Sequence, residues 1–205
     1  MSSPDQILRE LRDSARRLVT LALWPPTDAA QTIVDVVGTA LQITSAPPTP
    51  DAAALEAAAA GWRSMAAAIE RAADADADLV RALGGPGIWQ AASGDACRRS
   101  LTSHAARTAT LRVAAHGIQV TLLANADVMS GARRRWEAGR DQIARHLSIS
   151  WADLDPRVLS ARLSRIVGDV VHGLHEMIAS YEDALRVVES CRHAFDRIIN
   201  DVRLP

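Results

Sequence analysis

Asp169, His172, His175 and Glu176 come nearer than any other residues of this chain to the types and spacing of a metal site. Steps of three and four put Asp169, His172 and either His175 or Glu176 on one face of a helix. A bound transition metal needs three or four converging ligands. The Glu-x-x-His pairs of carboxylate-bridged helical bundles occur nowhere in the sequence. The expectation is therefore a solvated helix face, with no metal and no cofactor. Cys97 and Cys191 are the only cysteines. In a hairpin turning near residue 150 they miss each other by twelve residues, roughly 18 Å at ~1.5 Å per residue. A disulfide needs Cα atoms within about 7 Å, so Cys191 reads as a small core residue. Ser, His and Asp are all present, but no nucleophile motif groups them. No glycine-rich phosphate loop follows a strand pattern. The chain is expected not to be an enzyme.

Arg133, Arg134 and Arg135, with Arg140 and Arg145, form a basic stretch. Residues 95–145 hold nine Arg against four acids. Such a stretch suits a solvated face, an acidic partner or lipid headgroups. The whole chain of 205 residues nevertheless carries a net charge of −1. That balance argues against a dedicated nucleic-acid binder, which shows a strong basic excess.

The elements that must position these groups are helical. Alanine, the best helix former, makes up about a fifth of the residues, and aromatics only 3%. There is no Lys at all, a bias typical of GC-rich genomes. No run of about 18 apolar residues offers a membrane span, and the periodic, acid-bearing N-terminus does not read as a signal peptide. Pro- and Gly-rich breaks at 24–26, 45–50 and 84–87, with a weaker one at 148–156, divide the chain into five helical patterns. These cover 4–23, 28–43, 51–83, 89–147 and 159–202. The third carries a stripe of Leu55, Ala58, Trp62, Met65, Ile69, Ala72 or Ala73, Val80 and Leu83. The fourth runs from Leu101 through Leu111, Ile118, Leu122, Met129 and Trp136 to Leu147, interrupted by Thr108 and Asn125. The fifth is continuous from Leu159 through Val170, Met177, Tyr181, Leu185, Val188 and Phe195 to Val202, a seam for other helices. The expected fold is all-α: an elongated antiparallel bundle with a long helical hairpin (51–205), joined by a Pro-rich linker (45–50) to an N-terminal pair of shorter helices (1–44). The pair is expected at the end away from the 146–156 bend.

One stretch carries a resemblance. An Ala-rich helix holds Trp62; Gly84, Gly85, Pro86 and Gly87 follow as a turn; then Trp89 opens a long helix, with Ala91 and Gly94 behind it. This pattern resembles the Trp-x-Gly helical hairpins of type VII (ESX) secretion substrates, most closely their PPE-type branch, over about a quarter of the chain. Here Ala91 stands where that family has Gly. The export motif Tyr-x-x-x-Asp/Glu is missing, because Tyr181 is followed four residues later by Leu185. The resemblance implies a non-enzymatic protein, or the targeting domain of a larger effector, that folds in the cytoplasm and is secreted after pairing with a helical partner or secretion chaperone. Trp62 and Trp89 are its implied partner-binding or hairpin-organising residues. Leu147, Ile149 and Trp151 at the far tip, beside His146, are the implied chaperone-docking patch. A cytoplasmic, self-associating scaffold and a membrane-active helical protein are the alternatives from other classes.

Overall fold

The computed structural model describes residues 3–23, 29–83, 92–146 and 156–203. Among them the chain is all-α, with no strand. The helices are α1 (Pro4–Leu23), α2 (Ala29–Ile43), α3 (Ala52–Leu83), α4 (Ala92–Ala144) and α5 (Pro156–Arg203). Their ends follow the local chemistry. Ser3 caps α1, its hydroxyl and carbonyl oxygens taking the free amide of Gln6 at 3.3 and 3.0 Å. Behind α2, the buried Thr44 hydroxyl donates to the Ala40 carbonyl at 2.6 Å, and three prolines within Pro47–Pro50 prevent continuation. Asp95 lies in the first turn of α4. The Arg98 side chain hydrogen-bonds its carboxyl and holds its pKa below the ordinary value.

The helices form two compact units. The first joins Met1–Asp51 to Asp127–Val187. Its core is built from Leu11 and Leu18 of α1, Ile33 and Val37 of α2, Trp136 and Ile143 of α4, and Val170, Leu174 and Met177 of α5. The N-terminal pair thus packs with the part of α4 after Asp127 and the part of α5 before Val187, not with the opposite ends of those helices. Apolar neighbours on α5, Ile166 with Val167 and Met177 with Ile178, make its buried face too wide for α4 alone to cover. Within this unit α4 and α5 touch at backbone level. A Cβ on Gly139 would lie 2.5 Å from the Gly173 carbonyl oxygen, and one on Gly173 would lie 2.8 Å from that of Gly139. Only glycine at both positions permits this approach.

The second unit joins Ala52–Ala126 to Val188–Pro205. It holds α3, the first part of α4 and the last part of α5. Its buried apolar set is small: Leu55, Ala59, Ala115, Ile118, Leu122, Ala126 and Ala194. Trp62 packs on Phe195 with ring centroids 5.9 Å apart and planes tilted by 56°, a favoured aromatic geometry. The stripe predicted for α3 is off by one residue at two turns: Ala59 is buried where Ala58 was expected, and Ala58 and Met65 face solvent; of the alternatives Ala72 and Ala73, Ala73 is the half-buried one. On α4, Leu111 is 41% exposed, while Thr108 and Asn125, read as interruptions, belong to the buried face. Each finds a local partner. Thr108 donates to the His104 carbonyl, and the Asn125 amide reaches Ser190 Oγ and Cys191 Sγ at 3.3 and 3.2 Å. On α5, Val187 is buried in place of Val188, and Ala184 is buried beside Leu185, which packs half-buried against the core.

Candidate functional site

Of the four titratable groups singled out by spacing, Asp169 and Glu176 make contacts within the first unit. Asp169 Oδ2 lies 3.4 Å from His146 Nε2, so its carboxylate is occupied within the first unit. His146, expected on an exposed bend, is only 15% exposed for the same reason. His172 and His175 face solvent, and Glu176 packs against Gly139. Among the described residues, no group of three or more His, Cys, Asp or Glu side chains is placed to hold a metal. Both cysteines are free thiols. Asn125 fixes the α4 register of Cys191, and Cys97 precedes Asn125 by 28 residues on the same helix. That separation is about 42 Å at ~1.5 Å per residue. Intramolecular pairing is excluded by a wider margin than the twelve-residue offset suggested.

The Arg block is partly structural. Arg135 and Arg186 both bind the carboxylate of Asp183, whose side chain is 11% exposed. Arg133 pairs with Glu137 at 3.0 Å, and Arg140 lies over the Trp136 ring at 5.3 Å, a cation–π contact. Nearby, the Tyr181 hydroxyl donates to the Ala46 carbonyl at 2.7 Å, tying α5 to the segment after α2. Burial pushes this phenol above its ordinary value of 10.0, with partial relief from the Trp136 indole and the Arg140 charge. These contacts read as packing.

What the second unit leaves outside is more telling. Of the large apolar side chains that face solvent, most belong to it, including Met65, Leu79, Val113, Val120 and Val188. Apart from Val188 and Ile199 of α5, they lie on α3 and α4. On α3, Ala58, Gly61, Met65, Ala68, Ala72, Ala75, Leu79 and Ala82 recur at steps of three and four, and all eight are exposed. Each sits one residue before a position of the covered face, which reads 59, 62, 66, 69, 73, 76, 80 and 83. One residue is about 100° of helix, so α3 carries two faces about a quarter-turn apart, the exposed one free of charged residues and the covered one apolar but for Asp76, which pairs with His104. On α4, residues 113–125 contain no Asp, Glu or Arg. Ala115, Ile118 and Leu122 turn inward, while Val113 (69% exposed) and Val120 face out. Beside this outer face lies a groove of about 560 Å³ between α4 and α5, floored by Ala109, Gly117, Thr121, Ala194 and Ile198. No helix among the described residues is long and apolar enough to cross a membrane. Large exposed apolar patches rimmed by polar groups mark surfaces that meet a protein, a membrane or a ligand.

Of the residues the resemblance singled out, Trp62 is half-buried against Phe195 and Gly94 is buried at the start of α4. Gly84, Gly85, Pro86, Gly87, Trp89, Ala91, Leu147, Ile149 and Trp151 lie outside the described residues. Sequence reasoning missed the exposed α3 face because Ala58 and Met65 were assigned to the core stripe, with Ala72 an alternative to Ala73 in it. The signal was present as two complete three-four series on one helix. The chain matches no family model, no curated protein and no solved structure.

Proposed function

We propose that this chain acts by helix-to-helix recognition, without catalysis, as a type VII secretion-associated protein or the targeting domain of a secreted effector. The observation that supports recognition is the uncovered apolar surface of the second unit, on the outer faces of α3 and α4. A unit this sparingly buried gains stability by covering those faces with another helix. The type VII assignment rests on the resemblance of the Trp62–turn–Trp89 pattern. In this reading the protein folds in the cytoplasm, pairs with a helical partner or secretion chaperone, and is exported as a complex. The partner then supplies the Tyr-x-x-x-Asp/Glu signal that this chain lacks.

The test is export. The tagged chain is expressed in an actinobacterial host with and without a working type VII ATPase, and cells and medium are assayed beside a cytosolic lysis marker. ATPase-dependent appearance in the medium is the expected result. A folded, abundant protein confined to the cytosol in both strains, with a known substrate of the system exported alongside, refutes the secretion assignment. The exposed α3 face also favours a second reading, a cytoplasmic scaffold that associates with itself.

A further inference from the structure

The apolar face of α3 that its own unit leaves uncovered fits a second copy of the same helix. We infer that the chain forms a two-fold dimer through antiparallel α3 helices centred between Ala72 and Ala75. The inference deepens the recognition reading above by naming the occupant of one of its faces.

The period comes first. Met65, Ala68, Ala72, Ala75, Leu79 and Ala82 alternate steps of three and four without exception. This is the 3.5-residue repeat that keeps one face of a helix against a partner helix along its length. Six consecutive turn positions are apolar, and all are exposed, with Met65 at 49% and Leu79 at 47%.

Size complementarity comes second. In the antiparallel register Ala72 faces the partner's Ala75, Ala68 faces the partner's Leu79, and Met65 faces the partner's Ala82. The two large side chains, Met65 and Leu79, each meet an alanine, and at the centre alanine meets alanine, so the two backbones can approach closely. A parallel pairing would set Met65 on the partner's Met65 and Ala68 on the partner's Ala68, alternately crowded and empty.

Charge comes third. Arg71 and Asp78 lie on one flank of this face, seven residues apart. Under the two-fold, Arg71 comes level with the partner's Asp78 to within about two residues, or ~3 Å along the axis. Asp78 likewise meets the partner's Arg71. Within its own chain Asp78 is bound by Arg81, leaving Arg71 as the unmatched cation of that flank. An isologous interface requires such self-complementarity, in which residue i meets residue j and j meets i.

The test is the association state of the full chain by sedimentation over a wide concentration range. A concentration-dependent dimer is expected. Ala72→Glu places two carboxylates on the two-fold and should raise the dissociation constant by roughly a hundredfold or more. This position faces solvent in the monomer, so the helical circular dichroism should be unchanged. Arg71→Glu alone and Asp78→Arg alone should each weaken the dimer about tenfold through like-charge contact. The double variant Arg71→Glu/Asp78→Arg should restore it, an outcome that a merely structural role would not produce. A strictly monomeric chain overturns the inference, as does a dimer indifferent to Ala72→Glu or one not rescued by the charge exchange. ATPase-dependent export by a monomer would leave the secretion reading standing while removing self-pairing. An intact, rescuable dimer confined to the cytosol would do the reverse.

Discussion

Replacing Gly139 by alanine adds one methyl group at the point where α4 and α5 come closest in the first unit. The added Cβ would sit 2.5 Å from the Gly173 carbonyl oxygen, 3.0 Å from Met177 Cγ and 3.2 Å from Glu176 Cβ. The nearest neighbour is backbone, so it cannot rotate away. The two helices must separate by roughly 1 Å for the oxygen to reach ordinary contact distance. That separation loosens Ile143, Leu174 and Met177, all fully buried beside the contact. Overpacking of this kind costs about 1–3 kcal/mol. Alanine is the better helix former by about 1 kcal/mol, which offsets part of the loss. The net expectation for Gly139→Ala is a destabilisation of up to about 2 kcal/mol, a fall in Tm of up to roughly 8 °C for a chain of this size. Gly168, on α5 five residues before Gly173, has nothing within 4 Å of its would-be Cβ. There the propensity term acts alone, and Gly168→Ala should stabilise by about 0.5–1 kcal/mol. Urea denaturation followed by far-ultraviolet circular dichroism measures both. Gly173→Ala should resemble Gly139→Ala, and the double variant should cost less than the sum of the two, because the first methyl group has already parted the helices. If Gly139→Ala and Gly168→Ala shift stability in the same direction, or if the two close-contact substitutions add, the assigned helix contact is wrong.

Three further outcomes are expected. Tyr181 is the only tyrosine, so tyrosinate absorbance titrates it alone. Its midpoint should lie above 10.0 in the folded protein, and stability should be constant below pH ~10 and fall as pH rises through the folded-state value, because the unfolded chain loses this proton first. Tyr181→Phe should remove that alkaline loss and cost about 1 kcal/mol for the hydrogen bond to Ala46; a midpoint at or below the ordinary value would contradict the burial argument. Adjacent acids on α5 should behave differently. Asp183→Ala, which strips the anion from Arg135 and Arg186, should cost about 2–4 kcal/mol, whereas Glu182→Ala, which breaks only the exposed pair with Arg12, should cost about 0–1 kcal/mol; equal effects in thermal melts would refute the contrast. Thiol alkylation after mild oxidation of the dilute protein should still count two free cysteines, since Cys97 and Cys191 are far apart on the α4 register; an intramolecular disulfide found by peptide mass mapping would overturn that register.

Much of the fold is readable from local chemistry. Ala-rich composition, Pro and Gly breaks and three-four periodicity are properties of neighbouring residues, and they locate all five helices to within a few residues. The α5 core from Leu163 to Tyr181 follows for the same reason, because its apolar side chains crowd one face and any partner must meet them there. The Cys97–Cys191 separation needed only the rise per residue and an approximate turn.

Tertiary structure decided which of two equivalent faces is used. On α3 the series 58, 61, 65, 68 and 59, 62, 66, 69 have the same period and nearly the same polarity. Only the arrival of α4 and of Phe195 on one of them separates core from surface. The buried roles of Thr108 and Asn125 are likewise settled by a carbonyl one turn back and by two residues on another helix 65 positions away. Gly139 and Gly173, separated by 34 residues and a bend, read in sequence as two weak points in helices; in the fold they are the place where two backbones meet. Periodicity is a one-dimensional signal that specifies a face and its width. Which face meets which neighbour depends on long-range packing, where small differences in burial among many helix pairs are summed.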